Sequence, residues 1–115
     1  MTFKLVMVIV NAGFSEDVMA AAREVGARGG TIVNARGTAR TEAEARYGIS
    51  IQPEKELVFI VAAQSIVDKL LHNIYEKVGL NTPGQGIAFT LPVDEFVKTK
   101  QPKSKELKDS NVKQD

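Results

Sequence analysis

Two apolar runs set the plan of this chain: Phe3-Lys4-Leu5-Val6-Met7-Val8-Ile9-Val10 near the start and Leu57-Val58-Phe59-Ile60-Val61-Ala62-Ala63 in the middle. Both are short, rich in β-branched residues and apolar at consecutive positions, which predicts strands buried on both faces. Each leads directly into a helical pattern. After the first, Asn11-Ala12-Gly13-Phe14 breaks the strand and Ser15 reads as an N-cap, with Glu16 and Asp17 where a helix dipole favours negative charge. Val18, Met19, Ala22 and Val25 follow at helical spacing, and Gly26 and Gly29-Gly30 end the helix. After the second run, Gln64-Ser65 opens a helix that turns Ile66, Val67, Leu70, Leu71, Ile74 and Val78 inward, with Gly79 as its stop.

Thr31 to Ala35 and Ile87 to Leu91 complete the strands, and Val93 to Val97 reads as a short fifth piece. Arg36 to Ser50 is polar and lacks strand alternation; it reads as an exposed loop with room for a helical turn at Glu42 to Arg46. The order is β-α-β, loop, β-α-β. Two such halves predict an α+β, ferredoxin-like βαββαβ sandwich, an antiparallel sheet with two helices on one face. Strands this apolar need cover on the other face as well. The chain has no spare helices, so the expected cover is another copy of itself.

The expected domain spans residues 1–97. Residues 98–115 are dominated by Lys, Ser, Gln, Asp and Asn, with Leu107 and Val112 the only large aliphatic side chains. Such a segment buries too little to offset its ordering entropy, so the reading is a basic polar tail whose start a ligand could order, with the rest disordered.

Composition removes several function classes. The chain has 115 residues, the size of one domain, and a formal net charge of +1, too small a field to hold nucleic acid or an anionic membrane. Six of its 15 Lys and Arg lie beyond Phe96, which leaves the rest slightly acidic. With no cysteine there is no disulfide, thiolate chemistry or Cys-ligated metal, which fits a cytoplasmic protein. The first apolar run is too short for a membrane span and reads as a strand rather than a signal peptide, so neither membrane insertion nor nucleic acid is expected.

No catalytic set stands out, and no catalytic residue, metal site or catalytic cofactor is expected. The single histidine, His72, sits beside core leucines on the second helix, and Ser15, Ser50 and Ser65 have no His–Asp partners nearby in sequence. Two glycine-bearing segments are more suggestive. Gly84-Gln85-Gly86 precedes a strand and can wrap an anion with its amides; Arg36-Gly37-Thr38-Ala39-Arg40 sets a glycine between two guanidinium donors suited to phosphate. Taken alone, both segments read first as tight turns carrying solvated charges, and anion binding comes second.

The stretches Gly29 to Arg40 (GGTIVNARGTAR), Gln52 to Leu57 (QPEKEL) and Gly84 to Phe89 (GQGIAF) together resemble the PII signal-transduction superfamily, with most likeness to a divergent branch from Firmicutes. The resemblance covers roughly Lys4 to Lys100 and implies a homotrimer that binds adenine nucleotide between subunits. Carried over, Thr31 lies by the adenine with Gly37 near it, and Ile9 and Ile60 line the pocket. Thr38, Ala39 and Arg40 stand where the effector loop meets the phosphates, Gly84, Gln85 and Gly86 where a second loop cradles them. Lys98 and Lys100 reach the phosphates from the neighbouring subunit.

The departures from the family pattern narrow the expectation. Thr41 replaces the glutamine that helps hold magnesium and 2-oxoglutarate, Glu54 replaces a phosphate lysine beside which Lys55 stands, and Ile87 replaces another. Each charge-assisted contact is worth roughly 1.5–3 kcal/mol, so the resemblance implies ADP or ATP as regulatory ligand without 2-oxoglutarate sensing, and leaves magnesium open. The loop from Arg40 to Pro53 is short, and Tyr47 lacks the motif of the family's modified tyrosine. The implied role is regulation, without enzymatic chemistry, of an unidentified transporter or metabolic enzyme. Alternatives are a relative that takes a cyclic nucleotide, bicarbonate or a metal, an assembly module with no ligand, and a small monooxygenase-like enzyme, for which the chain has few of the usual side chains.

Overall fold

The structure, a computed structural model, describes residues 2–38, 46–48 and 53–96. Four strands and two helices run in the order β1 (Phe3–Asn11), α1 (Ser15–Glu24), β2 (Thr31–Arg36), β3 (Glu54–Ala63), α2 (Gln64–Val78) and β4 (Ile87–Pro92). The sheet is antiparallel throughout the pairs β2-β3, β3-β1 and β1-β4, which is the ferredoxin-like order. The two apolar runs are the central strands, as their composition requires.

The alternation of β1 and β3 decides where the core lies. Val6, Val8, Val10, Val58 and Ile60 have no solvent exposure, and all face the helices. There they meet Val18, Met19, Ala21 and Ala22 of α1 and Val67, Leu70, Ile74 and Val78 of α2. Burying side chains of this size contributes roughly 1.5–3 kcal/mol each. The residues between them, Leu5, Met7, Ile9, Leu57 and Phe59, are only half-buried, and Val61 is exposed. The expectation of strands buried on both faces therefore holds within one chain for the helix face alone.

Apart from one-residue extensions of β1 to Asn11, β2 to Arg36 and β4 to Pro92, the elements differ from the sequence reading at three places. β3 begins at Glu54 rather than Leu57, because Glu54, Lys55 and Glu56 continue the ladder against Arg36, Ala35 and Asn34 of β2. Residues 93–96 form no strand, so the described part of the expected fifth piece is irregular; Phe96 instead stacks edge-on against Phe3 with ring centroids 4.8 Å apart. Ser15 is the first helical residue of α1, not its N-cap, and makes no capping bond of its own. Arg46 and Tyr47 are helical, while the rest of the turn expected at Glu42 lies outside the described residues, as do Val97 and the tail.

Candidate functional site

A cleft of about 1060 Å³ opens where β1 and β3 meet the ends of β2 and β4. Its floor is apolar and is built by register. Ile9 pairs with Leu57 on one side and Ile87 on the other, so three side chains from three strands form one row on the face away from the helices. The next row toward the rim is polar, since Asn11 pairs with Lys55 and Lys55 with Ala35. Gly37, Thr38, Arg36, Pro53 and Gln85 close the lining.

The rim is held by a small hydrogen-bond network. The Lys55 ammonium donates to Asn11 Oδ1 at 2.7 Å, Asn11 Nδ2 donates to the Pro83 carbonyl at 2.9 Å, and the Asn11 amide donates to the Gly84 carbonyl at 2.9 Å. Alternation turns Lys55 to the same side as Ile9 and Leu57, and turns Glu54 and Glu56 to the helix side. The Gly37 amide donates to the Pro53 carbonyl at 2.7 Å, which ties the exit of β2 to the entry of β3. A Cβ at Gly37 would stand 3.1 Å from Lys55 Cε, so the glycine leaves the lysine its path.

On the other side of the sheet, Glu56 supplies the cap that α1 lacks. Its Oε1 accepts from the amides of Gly13 at 3.0 Å and Ser15 at 3.2 Å. Desolvation works to raise its pKa, but these amides, the Ser15 hydroxyl and Phe14 outweigh it and hold the carboxyl below its ordinary value. The carboxylate thus faces the positive end of a helix.

Of the residues expected at the site, Ile9, Gly37, Thr38 and Gln85 are brought together in the cleft. Ile60 is not: its side chain is fully buried in the core on the face opposite Ile9, because the two positions have opposite parity in the paired strands. Leu57 and Ile87 take the place expected of it. Thr31 is exposed at the start of β2, opposite Phe59, and is absent from this chain's cleft lining. Ala39, Arg40, Lys98 and Lys100 lie outside the described residues.

The glycine turn needs a second correction. The amide of Gln85 donates to the Thr82 carbonyl at 3.0 Å and that of Gly86 to the Val78 carbonyl at 2.6 Å, so neither is free to cradle an anion. The glycine at 86 answers to packing, since a Cβ there would collide with the Val78 carbonyl and crowd Val10. Gln85, with φ +48°, presents its side chain to the cleft from a left-handed backbone. Asn11 was the residue the sequence hid, because an amide after an apolar run reads as a strand break. Among the described residues no cluster of three or more His, Cys, Asp or Glu side chains gathers as a metal site, and no helix is long and apolar enough to cross a membrane.

The order of the sheet and the layer of two helices define a ferredoxin-like α+β domain with an open apolar face and a cleft at its rim. The family model for nitrogen regulatory protein P-II matches residues 3–103, and the chain belongs to that family of signalling regulators. No curated protein matches the chain by sequence. Among solved structures, GlnK of B. subtilis in complex with ATP is similar at a TM-score of 0.63 and 18% identity, over 80% of this chain and 82% of that one. GlnK of B. subtilis in a second structure is similar at 0.60 and 19%, over 82% and 87%. Arabidopsis thaliana PII bound to citrate is similar at 0.61 and 25%, over 84% and 79%.

Proposed function

We propose that the protein is a signalling homotrimer that takes ADP or ATP in clefts between neighbouring copies and reports the occupant to a transporter or metabolic enzyme. One observation carries the reading. The fold gathers Ile9, Gly37, Thr38 and Gln85 into a single cleft, with an apolar floor suited to a base and with Lys55 suited to phosphate. The family match and the similarity to an ATP complex of GlnK support the choice of ligand. A neighbouring copy laid on the open sheet face would add its Lys98 and Lys100 to the phosphates. The segment Arg36 to Ile51 leaves the rim of this cleft, so contacts with the terminal phosphate, or their loss, bias its states and with them the partner's binding surface.

Glu54 and Ile87, where the family's lysines stand, favour diphosphate over a magnesium–triphosphate–2-oxoglutarate assembly. Titration calorimetry with ATP, ADP, AMP, cyclic AMP and 2-oxoglutarate tests the reading. Heat from ADP and ATP, with none from 2-oxoglutarate, is the expected result, and the Lys98→Ala/Lys100→Ala double variant should bind ADP more weakly. Heat from cyclic AMP alone points to a different ligand, and silence from every compound points to an assembly module.

A further inference from the structure

We infer that Asn11 is the positioning residue of the cleft: one side-chain amide aims the Lys55 ammonium at the ligand's phosphates and, through its other end, holds the turn that carries Gln85. The inference rests on the nucleotide reading above. Its ground is the way three segments distant in sequence are joined at one residue. Asn11 ends β1, Lys55 lies at the entry of β3, and Pro83 and Gly84 belong to the turn after α2.

The amide's orientation is fixed by chemistry. Oδ1 faces an ammonium, which can only donate, and Nδ2 faces a carbonyl, which can only accept; the flipped amide would oppose both. An ammonium has three donor hydrogens, so a bond to Asn11 restrains Lys55 and leaves donors for an anion. Restraint matters for this side chain, because a lysine ordered only on binding loses rotamer freedom at that moment. The cross-strand pairing of Asn11 with Lys55, the glycine at 37 that leaves room for the lysine stem, and the Asn11 amide bond to Gly84 all keep the arrangement in one geometry. Asn11 carries no charge, and both ends of its side-chain amide are engaged within the protein, by Lys55 and by the Pro83 carbonyl, so it acts on phosphate through Lys55.

The test is calorimetric titration of the full chain with ADP at two salt concentrations, for the wild type, Lys55→Gln, Asn11→Ala and the double variant. Each single substitution is expected to weaken ADP about tenfold, the weight of one charge-assisted contact, and the double variant to lose little more than either single one. Asn11→Ala should also flatten the salt dependence of ADP binding as Lys55→Gln does, which loss of a neutral residue with a merely structural role would not do. Amide exchange should speed up at Gln85 and Gly86 in Asn11→Ala and stay unchanged in Lys55→Gln. Where Asn11→Ala fails to fold, Asn11→Ser is read in its place with the same expectations. Unchanged ADP affinity in the Asn11 variant, or a double variant that loses the product of the two single effects, overturns the inference while the nucleotide reading stands. A wild type that binds neither ADP nor ATP overturns that reading, and this inference with it.

Discussion

The sheet has two faces built from the same kinds of residue, and they end in different surroundings. On one side Val6, Val8, Val10, Val58 and Ile60 are sealed by two helices of the same chain. On the other, Val33, Leu57, Ile9 and Ile87 form a row across all four strands, flanked by Phe59, Met7 and Phe89 and by Val61, Leu5 and Leu91. Ile87 and Val61 are more than half exposed and Leu91 and Phe89 only slightly less. An apolar sheet face of this extent in one chain is a surface for association. Stability of the protomer resides on the first face, and assembly and ligand binding, on the proposed reading, on the second.

Substitutions that strike one face at a time can break this division. The largest effect on folding is expected from Ile60→Ala, which opens a cavity on the helix side and should cost about 2–5 kcal/mol in a thermal or urea melt. Phe89→Glu puts a charge on the open face and should disperse the assembly, read by light scattering, while the protomer keeps its circular dichroism. If it instead unfolds the chain with no smaller species, the two faces are not separable. Glu56→Gln keeps an acceptor oxygen for the two amides but removes the charge at the helix terminus, and should cost about 0.3–1 kcal/mol at neutral pH. Because the Glu56 carboxyl is held below its ordinary value, its contribution is present above the usual carboxylate range and is lost as pH falls through the depressed value. The gap between wild type and variant should therefore be full above the ordinary carboxylate range and close in acid melts only once the pH has fallen through that depressed value. The smallest effect is expected from Leu80→Ser, an exposed apolar residue on neither face, which should stay within about 0.5 kcal/mol and leave the assembly intact.

The elements with one clear period were legible in the sequence. Helical spacing of Val67, Leu70, Ile74 and Val78 gave α2 its full extent, and the two apolar runs gave the central strands. What an unbroken apolar run cannot reveal is parity. Leu57 and Ile60 are both aliphatic, and only pairing shows that one floors the cleft and the other fills the core. The start of β3 was hidden for a related reason. Glu54, Lys55 and Glu56 are charged and stand outside the apolar run, yet alternation sends Glu56 to the bare end of α1 and Lys55 to Asn11. Both partners are distant in sequence, so no local signal reports them. At Gly86 the glycine was correctly marked as special, but close backbone packing against Val78 requires it. The cleft residues Ile9, Gly37, Thr38 and Gln85 came from resemblance, and the fold brings these four together.

The most direct measurement is native mass spectrometry of the purified protein in millimolar ADP and ATP. The account predicts a trimer that carries up to three nucleotides, one for each cleft between copies. A monomer, or a trimer that stays free of nucleotide at those concentrations, would contradict it.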